Sequence, residues 1–424
     1  MPIHLSPFDA AAILVGLATL LGYVNLRWIG LPASVGMTAM GAVASLAVVA
    51  LDRLLPGGRL TAQLTGFLAD LDFHRTLMNG MLSFLLFAGA LHVDGAALRR
   101  TRLPVLVFST IGVAVSAVLV GLGFLALVRL LGLGVAPLWC FVFGALISPT
   151  DPVAVLAMMK RAAMPATLQA TIAGESLFND GIGVVVFTLL LGLALAGAPV
   201  GVPAMAVHFL RDAGGGALLG WLAGWGAFGA MRGIDDANIE VMLSLALVMG
   251  GQSLAHALGV SAPVAMVTAG LVFGNAGIAR AMSAVSRDYL VKFWLLIDEI
   301  LNAVLFLLIG MEVVALAGPP RLILAAIGAI VVVTAARAVA IGVPLWLMKA
   351  RINMGPLAFP TLLWGGLRGG IPVALALSLP ASATRTTLLA ATYGVVLFSV
   401  IVQGGSMRWL IARLSRGLAD APPA

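Results

Sequence analysis

The run Gly174-Glu175-Ser176-Leu177-Phe178-Asn179-Asp180-Gly181 places two carboxylates, a hydroxyl and an amide within six consecutive positions, then passes into an apolar stretch that continues to about residue 196. At about 100° of turn per residue, with Ser176 at 0°, Asn179 falls at about 300° and Asp180 at about 40°, so the three share one helix face, with Glu175 at about 260° on its edge. Asp180 stands about ten residues into this span, a rise of about 15 Å, near the middle of a hydrocarbon core about 30 Å thick. An ionised carboxylate at that depth is costly unless it is protonated, bound to a cation or paired with a base. A side chain that alternates between the first two states makes proton and cation compete for one site, so one leaves as the other arrives. The competing reading is an acid satisfied by a buried base. Glu175 matters to that choice, because a second free carboxylate would change the stoichiometry. Arg337, about halfway through a later apolar stretch, is its natural partner, and Arg368 is the alternative. A buried Glu–Arg pair holds structure and leaves Asp180 as the titrating acid.

Two interruptions carry the remaining chemistry. Ser148-Pro149-Thr150-Asp151-Pro152 breaks one apolar span, since proline removes a backbone donor and clashes with the preceding turn. Asp151 before Pro152 reads as an N-cap and N1 pair, the start of a second half-helix at mid-membrane; a proline kink with a satisfied cap is the plainer alternative. Gly365-Gly366-Leu367-Arg368-Gly369-Gly370-Ile371-Pro372 supplies a matching break. Two half-helix pairs bring partial charges of both signs to the bilayer centre, where Asp151 can offset the positive ends and Arg368 the negative ends. Pro-Val-Ala recurs at 152–154 and 372–374, in spans seven apart, so the two copies run in opposite directions. Inverted repeats with interrupted helices mark the binding sites of secondary transporters. A further polar group, Asp298, Glu299 and Asn302, lies about 10 Å of rise into a span that starts near residue 291. It fits either the lining of an inward-facing ion funnel or a solvated helix face near the interface.

The elements that must position these residues are membrane helices. Of 424 residues, 61% are hydrophobic and 10% charged, far from the roughly one quarter charged in soluble domains. Thirteen apolar spans are expected, at roughly 10–26, 32–51, 77–93, 103–128, 136–159, 170–196, 213–231, 238–258, 262–276, 291–311, 321–348, 357–380 and 388–410. The fold class is therefore all-α and polytopic, with the fifth and twelfth spans broken. Residues 59–76, with Asp70, Asp72, His74 and Arg75, are too polar to span and read as an interfacial helix or a loop. With the C-terminus inside, inner loops hold 15 Lys and Arg and outer loops 7, which favours N-out and C-in. The net charge of +7 thus belongs to membrane orientation, and no nucleic-acid partner is expected. The first apolar run lacks a basic leader and reads as a retained helix. Cys140 is the only cysteine, so no internal disulfide or multi-cysteine metal site is available. His4, His74, His92, His208 and His256 have no metal-ligand spacing and read as loop or interface residues.

The set Thr150-Asp151-Pro152, Gly174 to Asp180, Phe293-Trp294 with Asp298-Glu299-Ile300-Leu301-Asn302 and Gly310, and Gly365 to Gly370 resembles the NhaP-type sodium/proton antiporters, relatives of the animal sodium/hydrogen exchangers. The resemblance covers nearly the whole chain, and its Glu-Ser-Leu-Phe-Asn-Asp run is quite specific. It implies a thirteen-helix fold and a homodimer. It also implies core helices (101–200 and 319–416) that move against scaffold helices (1–100 and 201–318), with a short cytoplasmic tail at 417–424. By motif position it implies that Asp180 carries the transported Na+ or proton, helped by Thr150, Ser176 and Asn179. Glu175 would pair with Arg337, while Asp151 and Arg368 attend the crossing of the broken helices. Asn179 before Asp180, where a second Asp would otherwise stand, resembles the electroneutral branch with one cation per proton. Regulation by a long cytosolic region is not carried over, since only about fifteen residues follow the last span.

Rival readings are a cation channel, which need not place its acids on two inverted broken helices, and a potassium/proton exchanger, since Na+, Li+ and K+ accept the same oxygens. An intramembrane metalloprotease would carry an HExxH run, which is absent. No Gly-x-Gly-x-x-Gly lies in a nucleotide-binding context, so neither an enzyme activity nor an ATP-driven step is supported, and no cofactor is expected.

Overall fold

The structure, a computed structural model, describes residues 7–54, 60–70, 76–161, 164–196, 201–278, 282–313, 319–348, 354–355 and 357–419. The helices are α1 (Phe8–Ile29), α2 (Ala33–Leu54), α3 (Leu60–Asp70), α4 (Thr76–Leu91), α5 (Gly95–Arg100) and α6 (Arg102–Leu130). They continue as α7 (Pro137–Leu146), α8 (Val153–Arg161), α9 (Ala166–Ala196), α10 (202–231), α11 (Ala237–Leu258) and α12 (Ala262–Ile278). The chain ends with α13 (Ala284–Met311), α14 (Pro320–Met348), α15 (Ala358–Trp364), α16 (Gly370–Leu377) and α17 (Ala383–Arg413), which runs on to Ala419. Among the described residues, eight helices are long and apolar enough to cross a membrane: α1, α2, α6, α9, α11, α13, α14 and α17. Helices α4, α7 and α12 are shorter and apolar.

Both expected breaks are present. Helix α7 stops at Leu146, Ser148 turns its hydroxyl back on the Gly144 carbonyl at 2.7 Å, and α8 starts at Val153. Neither Pro149 nor Pro152 can donate a backbone bond, so the strand between them stays extended. Helices α15 and α16 are separated by 365–369 in the same way. The two linkers meet as an antiparallel bridge between Asp151 and Leu367, so the half-helix pairs cross in opposite directions.

Packing relies on small residues, as expected where lipid removes the hydrophobic drive between helices. Gly216, Gly220 and Gly224 line one face of α10 against α12, and a Cβ on Gly220 would strike the Ala265 carbonyl. Gly144 of α7 sits against the Ala117 carbonyl of α6, and Gly310 of α13 against the Thr38 carbonyl of α2. Thr38 and Ser45 donate to the carbonyls of Phe306 and Met311 at 3.2 and 2.8 Å, fastening α2 to α13. Trp294 anchors a second cluster: its ring lies 4.8 Å from that of Phe87, and its indole N–H donates to Ser244 at 2.9 Å.

Two boundaries differ from the sequence reading. Helix α13 begins at Ala284, capped by Ser283, whose hydroxyl accepts from the Ser286 N–H at 3.3 Å. Asp298 therefore lies about 21 Å along its helix instead of about 10 Å. Helix α10 begins at 202 rather than 213. In both cases charged residues (Arg287, Asp288 and Lys292; His208 and Arg211) are exposed on the helix and need not leave it, and Asp212 is half-buried. In 59–76, residues 60–70 are helical. His4, Arg59, Asp72, His74, Arg75, Arg280, Lys349, Arg351 and the tail from 420 lie outside the described residues.

Candidate ion-binding site

Helix α9 buries all four polar side chains of its central run, Glu175, Ser176, Asn179 and Asp180. It can press against the first linker because Gly183 has no side chain: a Cβ there would stand 2.9 Å from the Pro149 ring. Thr150, on that linker, joins the face from the other side. Its Oγ1 accepts from Asn179 Nδ2 at 2.7 Å and lies 3.0 Å from Ser176 Oγ, while its backbone N–H donates to Asn179 Oδ1 at 3.3 Å. Asn179 is thus bonded to Thr150 at both ends of its amide.

Asp180 is 8% exposed, and its Oδ1 has no hydrogen-bond partner among the described residues. Asp180 shares its helix face with Ser176 and Asn179, which bond Thr150, and the oxygens of this group are hard ligands, the donor type that suits alkali cations and protons rather than soft metals.

Glu175 is neutralised separately. Arg337 Nη1 meets Glu175 Oε1 at 2.5 Å, and Nη2 donates to the Leu362 carbonyl at 3.1 Å, so this pair ties α9, α14 and α15 together. The guanidinium lies over the backbone of Gly366, where a Cβ would stand 2.5 Å from Nε. Of the two arginines the sequence left open, Arg337 makes the pair. Arg368 instead reaches across to the end of α7, where Nη1 donates to the Ser148 carbonyl and to the Pro149 carbonyl at 3.0 Å. Its charge therefore faces the negative end of that half-helix.

Asp151 donates its backbone N–H to the Leu367 carbonyl at 2.7 Å, and a Cβ on Gly369 would stand 2.9 Å from its Oδ2. The capping geometry is shifted by one residue from the sequence reading. The first helical bond of α8 runs from the Leu156 N–H to the Pro152 carbonyl at 2.8 Å, so Pro152 holds the cap position and Asp151 lies outside it. Asp151 is pulled into the bridge because a second backbone, unseen in the local sequence, offers it an acceptor.

Asp298 is half-buried and accepts from Asn302 Nδ2 at 3.1 Å. Glu299 is exposed and does not join the site. His92, His208 and His256 are exposed, and among the described residues no group of three His, Cys, Asp or Glu could hold a metal ion. Two buried residues of the crossing had no sequence signal of their own, Ser399 and Gln403 of α17. Ser399 accepts the backbone N–H of Arg368 at 2.8 Å and donates to Gln403 Oε1 at 2.8 Å.

Antiparallel broken helices that cross beside an unsatisfied buried acid define an ion-coupled secondary transporter as the class of protein. The sequence profile described as "Sodium/hydrogen exchanger, transmembrane" matches residues 15–413. The chain is 45% identical to the Na(+)/H(+) antiporter NhaP of Pseudomonas aeruginosa, over 96% of this chain and 97% of that protein. It is 36% identical to the Na(+)/H(+) antiporter NhaH of Halobacillus dabanensis, over 81% of this chain and 84% of that one. The solved structure of the sodium proton antiporter MjNhaP1 from Methanocaldococcus jannaschii at pH 8 shares the fold, with a TM-score of 0.74 at 20% identity over 96% of this chain and 98% of that one. The chain belongs to the sodium/hydrogen exchanger family, a family of transporters and not of enzymes.

Proposed function

We propose that this protein exchanges Na+ for H+ across a membrane, with Asp180 holding the cation and the proton in turn. The observation that carries the reading is the contrast between two acids of one helix: Glu175 is tied to Arg337, while Asp180 keeps a carboxylate oxygen without a partner. Thr150, Ser176 and Asn179 supply the neighbouring oxygens, and Li+ or K+ would use the same ligands. With Glu175 neutralised, one carboxylate serves one cation or one proton, so exchange is electroneutral. Asp151 and Arg368 balance the half-helix ends at the crossing, and Asp298 lies on the approach to it. Thirteen spans, an outer N-terminus and an inner C-terminus fit the basic residues of the loops, with the helices of 101–200 and 319–416 moving against those of 1–100 and 201–318 in a homodimer.

The test is flux in proteoliposomes. An imposed Na+ gradient should drive protons the opposite way without any membrane potential. Sodium flux that ignores the proton gradient would indicate a channel and contradict the reading.

A further inference from the structure

Arg368 sits on a linker whose backbone has no helical bonds of its own, yet its guanidinium must stand at a fixed place at the crossing. The Asp151 N–H holds this linker at the Leu367 carbonyl, and α17 holds it at the next N–H, that of Arg368. In Phe398–Gly404 this helix winds in π-turns, a local form that often marks functional positions because it re-aims side chains. Ser399 and Gln403 lie in this stretch, 1% and 6% exposed. The Ser399 hydroxyl spends its one proton on Gln403 Oε1 at 2.8 Å, which leaves its lone pairs for the Arg368 N–H at 2.8 Å. From the same residue the guanidinium reaches the Ser148 and Pro149 carbonyls, next to Thr150, whose hydroxyl and backbone N–H meet Ser176 and Asn179 on the Asp180 face. A small cavity lined by Thr334, Arg337, Gly366, Arg368, Phe398 and Gln403 lies between the linker, α14 and α17.

We propose that Ser399 and Gln403 are positioning residues of the ion site, which hold the Arg368 backbone so that its guanidinium fixes the Pro149–Thr150 segment and with it the oxygens that favour cation over proton at Asp180. The proposal rests on the reading of Asp180 as the carrier. It differs from a fold-holding role in what it moves: the competition between Na+ and H+, and not only stability.

The full-length protein in proteoliposomes tests it, with Na+-driven proton flux measured across a range of pH. Ser399→Ala should raise the apparent KM for Na+ on the order of tenfold, the worth of one buried hydrogen bond. The fold-change should persist as pH rises, because weaker cation ligation acts by the same factor at every proton concentration. Gln403→Leu should shift KM in the same direction, the double variant should be no worse than Ser399→Ala, and Ser399→Thr should restore KM. Lower melting temperature or maximal rate with KM and pH profile unchanged would overturn the proposal, as would effects that multiply in the double variant. If Ser399→Ala does not fold, an unshifted KM in Gln403→Leu overturns it alone. Exchange that survives Asp180→Asn overturns the carrier reading and this proposal with it. Exchange lost in Asp180→Asn but an unshifted KM in Ser399→Ala overturns this proposal only.

Discussion

At the scale of single residues, the buried ion pair between Glu175 and Arg337 divides structure from transport. Glu175→Ala leaves the arginine charge inside the protein without its partner, and the expected loss is about 3–5 kcal/mol of stability, read as a lowered midpoint of unfolding in detergent. Exchanging the two, Glu175→Arg with Arg337→Glu, should recover part of that loss. Recovery stays incomplete because Arg337 also donates to the Leu362 carbonyl; additive losses in the double variant would count against the pair. The acids of α9 were legible in the sequence because ionisable groups deep in an apolar span are costly enough to announce themselves. The helical spacing then set Ser176, Asn179 and Asp180 on one face. Which arginine met Glu175 was not legible, since that depends on how α14 and the second linker fold against α9. Ser399 and Gln403 gave no signal at all. A serine and a glutamine in an apolar helix are common, and their meaning comes only from the Arg368 N–H brought to them by the crossing.

At the scale of helices, packing depends on close approach. Gly220→Ala would push α10 from the Ala265 carbonyl of α12 and should cost about 1–3 kcal/mol. Gly226→Ala, on the same helix with open space around it, should be neutral or slightly stabilising, as alanine is the better helix former. Comparing the two midpoints of unfolding checks this, and equal effects would refute the packing argument. Helix positions were readable from apolar length, and both breaks from proline and glycine. The starts of α10 and α13 were not, because charges that looked like loop residues ride on exposed helical turns. The start of α8 falls one residue later than the sequence suggests, because the Asp151 N–H is drawn into the bridge to the Leu367 carbonyl.

At the scale of the whole molecule, the proposed orientation rests on the basic residues of the loops and can be tested by labelling. Cys140 is buried, so single cysteines can be introduced on a nearly silent background. In right-side-out vesicles, an impermeant maleimide should label Arg129→Cys from outside and Arg232→Cys only after the membrane is opened; the reverse pattern would invert the topology. The central claim is that cation and proton share Asp180. It is tested most directly by counting protons released as Na+ binds, by calorimetry of the purified protein in buffers of different ionisation enthalpy. At a pH where the site is protonated, each Na+ bound should release one proton, and Asp180→Asn should remain folded yet neither bind Na+ nor release a proton. Sodium binding without proton release, or proton release that persists in Asp180→Asn, would contradict the account.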